Sequence, residues 1–189
     1  HGPNNNAVAR DSAVDVPFYL QWSAEPKWAR HHNFLSSTSA MATANGRVFA
    51  IMDEGPKSDI EADPEWFLTA RDAFNGVLLW KRAIGPWEGH LRPFRSGPTE
   101  LQRRLVAGAE RVFVTLGYNE RVVALDAATG EIVHEYDGTD GALEILLAGG
   151  TLYLALGDID AAAYAKAMER RGASPPPRNK RIMALDADS

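Results

Sequence analysis

The stretch that decides the fold is Arg121–Tyr136, which reads R-V-V-A-L-D-A-A-T-G-E-I-V-H-E-Y. It returns twice with variation: residues 67–80 read F-L-T-A-R-D-A-F-N-G-V-L-L-W, and residues 181–189 read R-I-M-A-L-D-A-D-S. Each copy carries an Ala two residues before an Asp-Ala pair, then Thr, Asn or Ser, and then Gly where the chain continues. Such a repeat predicts one structural unit used three times, with equivalent acids at Asp72, Asp126 and Asp186.

A second shared element lies upstream of each of these stretches, and a short apolar segment precedes it in turn. The element comprises Gly46–Phe49, Glu110–Phe113 and Gly150–Tyr153, and the apolar segments are Ser39–Thr43, Leu105–Ala107 and Leu143–Ala148. Each unit therefore holds four strand-like runs bounded by turn residues. We expect strands near 40–43, 47–52, 66–72, 77–82, 104–107, 111–116, 121–126, 131–136, 143–148, 151–156 and 180–186.

The turn residues mark where one strand-like run ends and the next begins. Asn45-Gly46 and Gly149-Gly150 suit tight turns between the first two runs, because Asn and Gly tolerate positive φ. In the Asp-Ala-x-Thr-Gly stretch the Asp side chain can accept backbone N–H groups, and Gly130 supplies a left-handed residue. We therefore expect Asp72, Gly76, Trp80, Asp126, Gly130 and Asp186 to be structural.

Several runs are apolar on both faces, among them Arg121–Leu125 and Leu143–Leu147. Strands of this kind belong to sheets that pack between two other sheets. Four-stranded units with two buried faces, repeated every 40–60 residues or so, indicate the blades of a β-propeller. The prediction is an all-β partial propeller with blades about 39–82, 104–136 and 143–189: two complete, most of a third, and an orphan strand at 18–24. Another all-β repeat architecture is the alternative.

The repeat resembles the pyrroloquinoline-quinone (PQQ) type, whose consensus is roughly A-L-D-A-x-T-G-x-x-x-W. Ala124–Gly130 matches its turn half, Trp80 supplies the aromatic residue in the first unit, and His134 stands in that position in the second. The resemblance covers about residues 18–189, after an extended segment at 1–17. Within the type, the chain is similar to bacterial propeller proteins related to the outer-membrane-protein assembly lipoprotein family.

This resemblance implies an extracytoplasmic protein of the periplasm or cell envelope, whose remaining blades complete the ring. Related quinoprotein dehydrogenases hold PQQ with calcium, a stacked Trp and usually a vicinal disulfide. The chain has no Cys and no residue that maps onto a cofactor-binding motif. We therefore expect no cofactor and no metal in this segment, since many proteins carry such blades purely as scaffold.

Composition excludes several classes of function. The net charge of -5 argues against a nucleic-acid-binding surface, which needs a basic excess. The lack of Cys excludes disulfides and thiolate chemistry within these 189 residues. No apolar run approaches the roughly 18 residues of a membrane span. The chain starts at His1 and stops within a repeat unit, so we expect a piece of a larger propeller.

Strand parity sorts the loops by face. In a four-stranded blade, the connections between strands two and three, and those between blades, emerge on the face opposite the other two turns. These connections are long and variable here, which is typical of binding surfaces on a rigid scaffold. The predicted ligand-binding face carries Trp28, His31, His32, Trp66, Trp87, His90, Arg92, Arg95, Tyr118 and Asn119. The alternative is that these side chains only pack the loops together.

The third unit carries an insertion. Asp158-Ile159-Asp160 can cap a helix over Ala161–Arg171, and Pro175-Pro176-Pro177 then favours an extended return. The helix is either a flap over the ligand-binding face or a solvated decoration. Asp137–Gly141 lacks the spacing of a calcium loop and is interpreted as an inter-blade turn.

No nucleotide-binding, nucleophile-elbow or zinc-protease motif is present. The sequence therefore favours a non-catalytic scaffold that binds a protein or glycan through its loop-rich face. The main alternative is part of a quinoprotein-like oxidoreductase whose catalytic residues lie outside this segment. A polysaccharide-active enzyme that uses the His and Arg cluster is a third hypothesis.

Overall fold

The structure is a computed structural model, and it describes residues 19–24, 38–56, 65–85, 101–158, 160 and 177–189. The described chain contains eleven β-strands and one short 3-10 turn over Leu101–Arg103. The strands are β1 Thr38–Ala44, β2 Arg47–Asp53, β3 Trp66–Asp72, β4 Leu78–Ala83, β5 Leu105–Ala107, β6 Arg111–Thr115, β7 Val122–Asp126, β8 Ile132–Glu135, β9 Ala142–Ala148, β10 Thr151–Asp158 and β11 Arg178–Asp186.

The strands form three antiparallel sheets in which each strand pairs with its neighbour in the sequence. The orders are β1-β2-β3-β4, β5-β6-β7-β8 and β9-β10-β11. The register repeats as well, since Asp72 lies opposite Arg47 on β2, Asp126 opposite Arg111 on β6, and Asp186 opposite Thr151 on β10. The prediction of an all-β partial propeller is therefore confirmed, with one strand at each of the eleven positions predicted within the three units.

The segment at 18–24 differs from its prediction. The described residues 19–24 form no strand, because no neighbouring strand pairs with them in the described part of the chain. Residues 1–17, and the predicted helical insertion over Ala161–Arg171, lie outside the described residues.

The core lies between the sheets, as two-sided burial requires. One apolar cluster joins the first and second sheets, and includes Phe49, Ile51 and Leu68 on one side with Val112 and Leu125 on the other. A second cluster joins the second and third sheets and includes Phe113, Val122, Ala124, Ile145, Leu152 and Leu154. The middle sheet is therefore buried on both faces, which explains the fully apolar run at Val122–Leu125.

The first strands of the three sheets are neighbours, because β5 contacts both β1 and β9. Among the described residues no helix is long and apolar enough to cross a membrane.

Candidate functional site

One face of the molecule is built from turns whose Asp side chains hold the backbone. The Oδ1 atom of Asp126 accepts hydrogen bonds from the N–H groups of Ala128 and Thr129, each at 2.8 Å. These backbone bonds, led by that of Thr129, hold the pKa of Asp126 below its ordinary value. Asp72 accepts from Phe74 and Asn75 in the same way, at 2.9 and 3.0 Å. The carboxylates therefore replace missing backbone partners in the turns.

These turns lie beside the turns between the first and second strands of each sheet. Ala73 donates its N–H to the carbonyl of Gly46, Ala127 to Glu110 and Ala187 to Gly150, at 2.8, 2.9 and 2.9 Å. Both sets of turns thus lie on one face, here called the turn face, which comprises residues 45–46, 72–77, 109–110, 126–130, 149–150 and 186–189.

An aromatic side chain fastens each turn of the turn face to the preceding segment of chain. The indole Nε1 of Trp80, on the first sheet, donates to the carbonyl of Ala127 in the second, at 3.0 Å. Its ring covers Gly130, where an added Cβ would lie 2.6 Å from Trp80 Cδ2. Trp22 makes the same pair of contacts with Ala73 and Gly76, at 3.0 and 2.6 Å. Residues 19–24 therefore place Trp22 as a fourth strand would, although they form no strand.

The second sheet uses a different aromatic residue. His134 does occupy the register position of Trp80, because it pairs with Ala124 as Trp80 pairs with Ala70. The hydrogen bond to the next turn instead comes from Tyr136, whose hydroxyl donates to the carbonyl of Ala187 at 2.7 Å. His134 stacks edge-on against the Tyr136 ring, with centroids 4.6 Å apart. Alignment of the repeat units therefore pointed to His134 and missed the structural role of Tyr136.

The connections on the opposite face form the candidate site, here called the loop face. Its described residues are 54–56, 65, 84–85, 101–104, 116–121 and 136–141, together with the end of β10 and the start of β11. Neighbouring segments contact one another here: the N–H of Gly85 donates to Leu116 at 2.6 Å, and that of Gly157 donates to Gly141 at 3.0 Å. The described ends of the long connections therefore share the face opposite the turn face.

Buried polar groups support the loop face from beneath. Asp53, at the end of β2, is buried, and its Oδ1 accepts from the N–H groups of Gly55 and Glu65 at 2.9 and 3.0 Å. It therefore braces both ends of the connection 54–65. No sequence signal marked Asp53, because an acid at a strand end is common and only the fold closes the connection around it.

Arg104 lies between the first two sheets and is fully buried. One guanidinium nitrogen donates to the carbonyl of Tyr118 at 2.7 Å, and its Cζ lies 5.3 Å from the centre of the Tyr118 ring. Arg104 therefore supports the connection 116–121 from beneath by bonding to its backbone. Sequence reasoning missed Arg104, since the adjacent Arg103 is exposed and nothing in the sequence distinguishes the two.

Three of the predicted ligand-binding residues lie within the described chain. Trp66 and Tyr118 are buried, and Asn119 is exposed beside Tyr118. The two aromatic side chains therefore form the packed base of the loop face, and Asn119 belongs to its solvent-facing surface. The other predicted residues lie outside the described residues: Trp28, His31, His32, Trp87, His90, Arg92 and Arg95.

Among the described residues, no three His, Asp or Glu side chains come together in a way that could hold a metal ion. The Oδ1 atoms of Asp72 and Asp126 on the turn face accept backbone N–H groups.

Comparison with known proteins gives matches among solved structures. No protein-family model and no curated protein matches the chain. BamB from Moraxella catarrhalis matches over 79% of this chain and 34% of its own, with 15% identity and a TM-score of 0.42. Quinohemoprotein alcohol dehydrogenase from Comamonas testosteroni matches over 80% and 20%, with 19% identity and a TM-score of 0.44. A europium-containing methanol dehydrogenase matches over 80% and 24%, with 12% identity and a TM-score of 0.42.

The chain thus spans about a third or less of the length of these structures. The three antiparallel sheets, with their repeated register and the repeated Asp-Ala turns of the sequence, make the described chain a partial β-propeller in fold.

Proposed function

We propose that the protein is a non-catalytic extracytoplasmic scaffold that binds a protein or glycan through its loop face. The observation that carries this proposal is that the turn face stabilises the fold, whereas the loop face carries the variable connections. The turn face is held by hydrogen bonds that repeat from sheet to sheet, so its residues are committed to the fold. The loop face carries the connections that differ between units, and such segments on a rigid scaffold are where recognition usually lies.

The chemistry of the loop face supports this kind of ligand. Its base combines the buried aromatic rings of Trp66 and Tyr118 with the Arg104 cation. The sequence between β4 and β5 contains Trp87, His90 and Arg92, and Asn119 is exposed beside Tyr118. Aromatic and Arg side chains are over-represented at the energetic centres of protein interfaces. Amide side chains add directional hydrogen bonds of the type that sugars accept.

A site-specific photo-cross-linking experiment tests the proposal in the full-length protein within cells. A photoreactive residue is placed at Asn119 on the loop face or, as the matched control, at Ala128 on the turn face; both positions are exposed. We expect discrete adducts from Asn119, identified by mass spectrometry as protein or glycan, and none from Ala128. Adducts from Ala128 alone would contradict the proposal, and so would no adduct from either position.

A second set of variants separates binding from folding. Trp87→Ala, His90→Ala and Arg92→Ala should each reduce the Asn119 adduct by an order of magnitude or so, as hot-spot truncations do. Asp126→Ala should leave the adduct intact and lower stability. Quinone- and calcium-dependent dye reduction by the purified protein would instead support the oxidoreductase hypothesis and overturn the non-catalytic role.

A further inference from the structure

The chain contains two Asn-Gly steps, and both lie in turns of the first sheet. Asn45-Gly46 joins β1 to β2, and Asn75-Gly76 joins β3 to β4. Asn is a thermolabile residue, and a following Gly exposes its own backbone nitrogen because it has no side chain. The two steps have the same local sequence chemistry, so any difference between them comes from the fold.

Hydrogen bonds hold both the backbone and the side chain of Asn75. Its N–H donates to Asp72 at 3.0 Å, and its Oδ1 accepts from Val77 at 2.9 Å. The N–H of Gly76 donates to the carbonyl of Asp72 at 2.9 Å. The Trp22 ring covers Gly76, so close that an added Cβ would lie 2.6 Å from it. The side-chain oxygen of Asn75 and the nitrogen of Gly76 are therefore both fixed. Asn75 itself is exposed, as Asn45 is, but Gly76 is buried beneath the Trp22 ring, whereas Gly46 is exposed.

Asn45 is open by comparison. It is exposed, its φ is 44°, and the space around Gly46 holds no heavy atom within 4 Å of an added Cβ. Its Nδ2 makes two long contacts, with the carbonyl of Ala109 and with Oε1 of Glu110, both at 3.4 Å. Bonds of this length are weak, so they hold the side chain loosely.

We propose that Asn45 is a deamidation site of the folded protein and that Asn75 is protected. In the reaction the backbone nitrogen of Gly46 attacks Cγ of Asn45 and forms a five-membered succinimide. The side-chain nitrogen leaves as ammonia and takes the proton that the Gly46 nitrogen loses. Water then opens the ring at either carbonyl and yields aspartate or isoaspartate. Solvent is the only co-reactant, and no electrons are transferred.

The product changes the contact between the first and second sheets. Deamidation replaces the Nδ2 donor with a carboxylate oxygen that faces the Glu110 carboxylate and the Ala109 carbonyl. Like charges and paired acceptors repel one another. Gly46 also accepts the hydrogen bond from Ala73, so an isoaspartate, with its extra backbone atom, disturbs the turn face at its first position. Modification at Asn45 therefore weakens the contact between the first two sheets.

Peptide mapping of the aged protein tests the proposal. Trypsin places the two residues on separate peptides, 31–47 and 72–81. The purified chain is incubated at mildly alkaline pH, and the acid form of each peptide is quantified over time. We expect Asn45 to deamidate at least about tenfold faster than Asn75 in the folded chain, because local protection slows reactions that need opening. In the urea-unfolded chain the two rates should converge.

Two variants sharpen the test. Trp22→Ala removes the cover from Gly76 and should accelerate loss of the Asn75 amide while leaving the Asn45 rate unchanged. Asn45→Asp should lower the melting temperature relative to wild type, whereas Asn75→Asp keeps the acceptor for Val77 and should lower it less. Equal rates at Asn45 and Asn75 in the folded chain, or a faster rate at Asn75, would overturn the proposal.

Discussion

Single side chains close the turns of this protein, and Asp126 is the clearest case. Its Oδ1 accepts two backbone N–H groups that have no partner in a strand ladder. Asp126→Ala should lower the free energy of unfolding by about 1 kcal/mol, the usual cost of a lost cap-like bond. Asp126→Asn keeps an acceptor oxygen and should cost less. Urea titration of the three proteins measures the difference.

The same carboxylate gives the protein a predictable acid response. Because the folded state lowers the pKa of Asp126 below 3.8, the folded protein binds fewer protons here than the unfolded chain. The contribution of Asp126 to stability is therefore present above pH 3.8 or so and is lost as pH falls through the folded-state pKa. This part of the acid destabilisation should be missing in Asp126→Asn; an unchanged acid profile would contradict the assignment.

The role of Tyr136 could not be predicted from its position in the repeat. Tyr136→Phe removes the hydroxyl bond to the Ala187 carbonyl, which keeps the hydrogen bond that the Arg111 guanidinium donates at 2.8 Å, so we expect a loss of about 1 kcal/mol. Tyr153→Phe serves as the control, because the Tyr153 side chain is 43% exposed on the open side of the third sheet. Equal losses for the two variants in urea titration would show that the Ala187 bond contributes nothing.

Tyr136 also predicts an alkaline response. Burial raises the pKa of its phenol above 10.0, so the folded state retains the proton longer than the unfolded chain does. The stability that this group contributes is fully present below pH 10 and declines as pH rises through the folded-state pKa. Tyr136→Phe should lack this decline, whereas Tyr153→Phe should keep it.

At the scale of elements, the sheets are joined by an aromatic ring that covers a turn glycine. Gly130 has φ 75° and lies under the Trp80 ring, whereas Gly138 has φ 71° and open space around it. Gly138→Ala should cost about 1 kcal/mol for the left-handed backbone alone. Gly130→Ala should cost a further 1–3 kcal/mol or so, because its methyl group collides with the ring.

A double-mutant cycle checks the origin of this difference. In a Trp80→Ala background the collision disappears, so the two glycine variants should become similar in stability relative to their parent. If Gly130→Ala remained the more harmful change in that background, the contact with the ring would not be the cause. Thermal unfolding monitored by far-UV circular dichroism provides the measurement.

At the scale of the whole molecule, the third sheet has an open side. Leu146, Tyr153 and Ile182 project from neighbouring strands on the side away from the second sheet, and Ile182 is 82% exposed. Exposed apolar sheet surface of this kind promotes association. We expect the 189-residue chain to self-associate with rising concentration and Ile182→Glu to reduce this association in sedimentation velocity experiments.

The control for this prediction lies on β8, the exposed outer strand of the second sheet, away from the open side of the third sheet. Val133 is 49% exposed at the outer strand of the second sheet. Val133→Glu introduces the same charge and should leave self-association largely unchanged. If it were as effective as Ile182→Glu, net charge rather than the open side of the third sheet would control association.

The sequence by itself determined the order and position of the eleven strands in the three sheets. Turn chemistry is local: Asp126 finds its two N–H partners within three residues, and Gly130 adopts its φ without help from distant parts of the chain. Apolar runs such as Val122–Leu125 likewise indicate burial on both faces of the sheet. The structural use of Asp72 and Asp126 also follows from this local chemistry.

Only the tertiary structure decided which residues meet between sheets. Tyr136, two positions past the expected aromatic, reaches Ala187 because the sheets pack close enough for its hydroxyl to replace an indole. Trp22 docks on Gly76 across 54 residues of chain without forming the strand that its repeat predicts, because a strand needs a paired neighbour. Arg104 and Asp53 became buried supports of the loop face for the same reason. Contacts between distant segments depend on packing geometry, which no local pattern encodes.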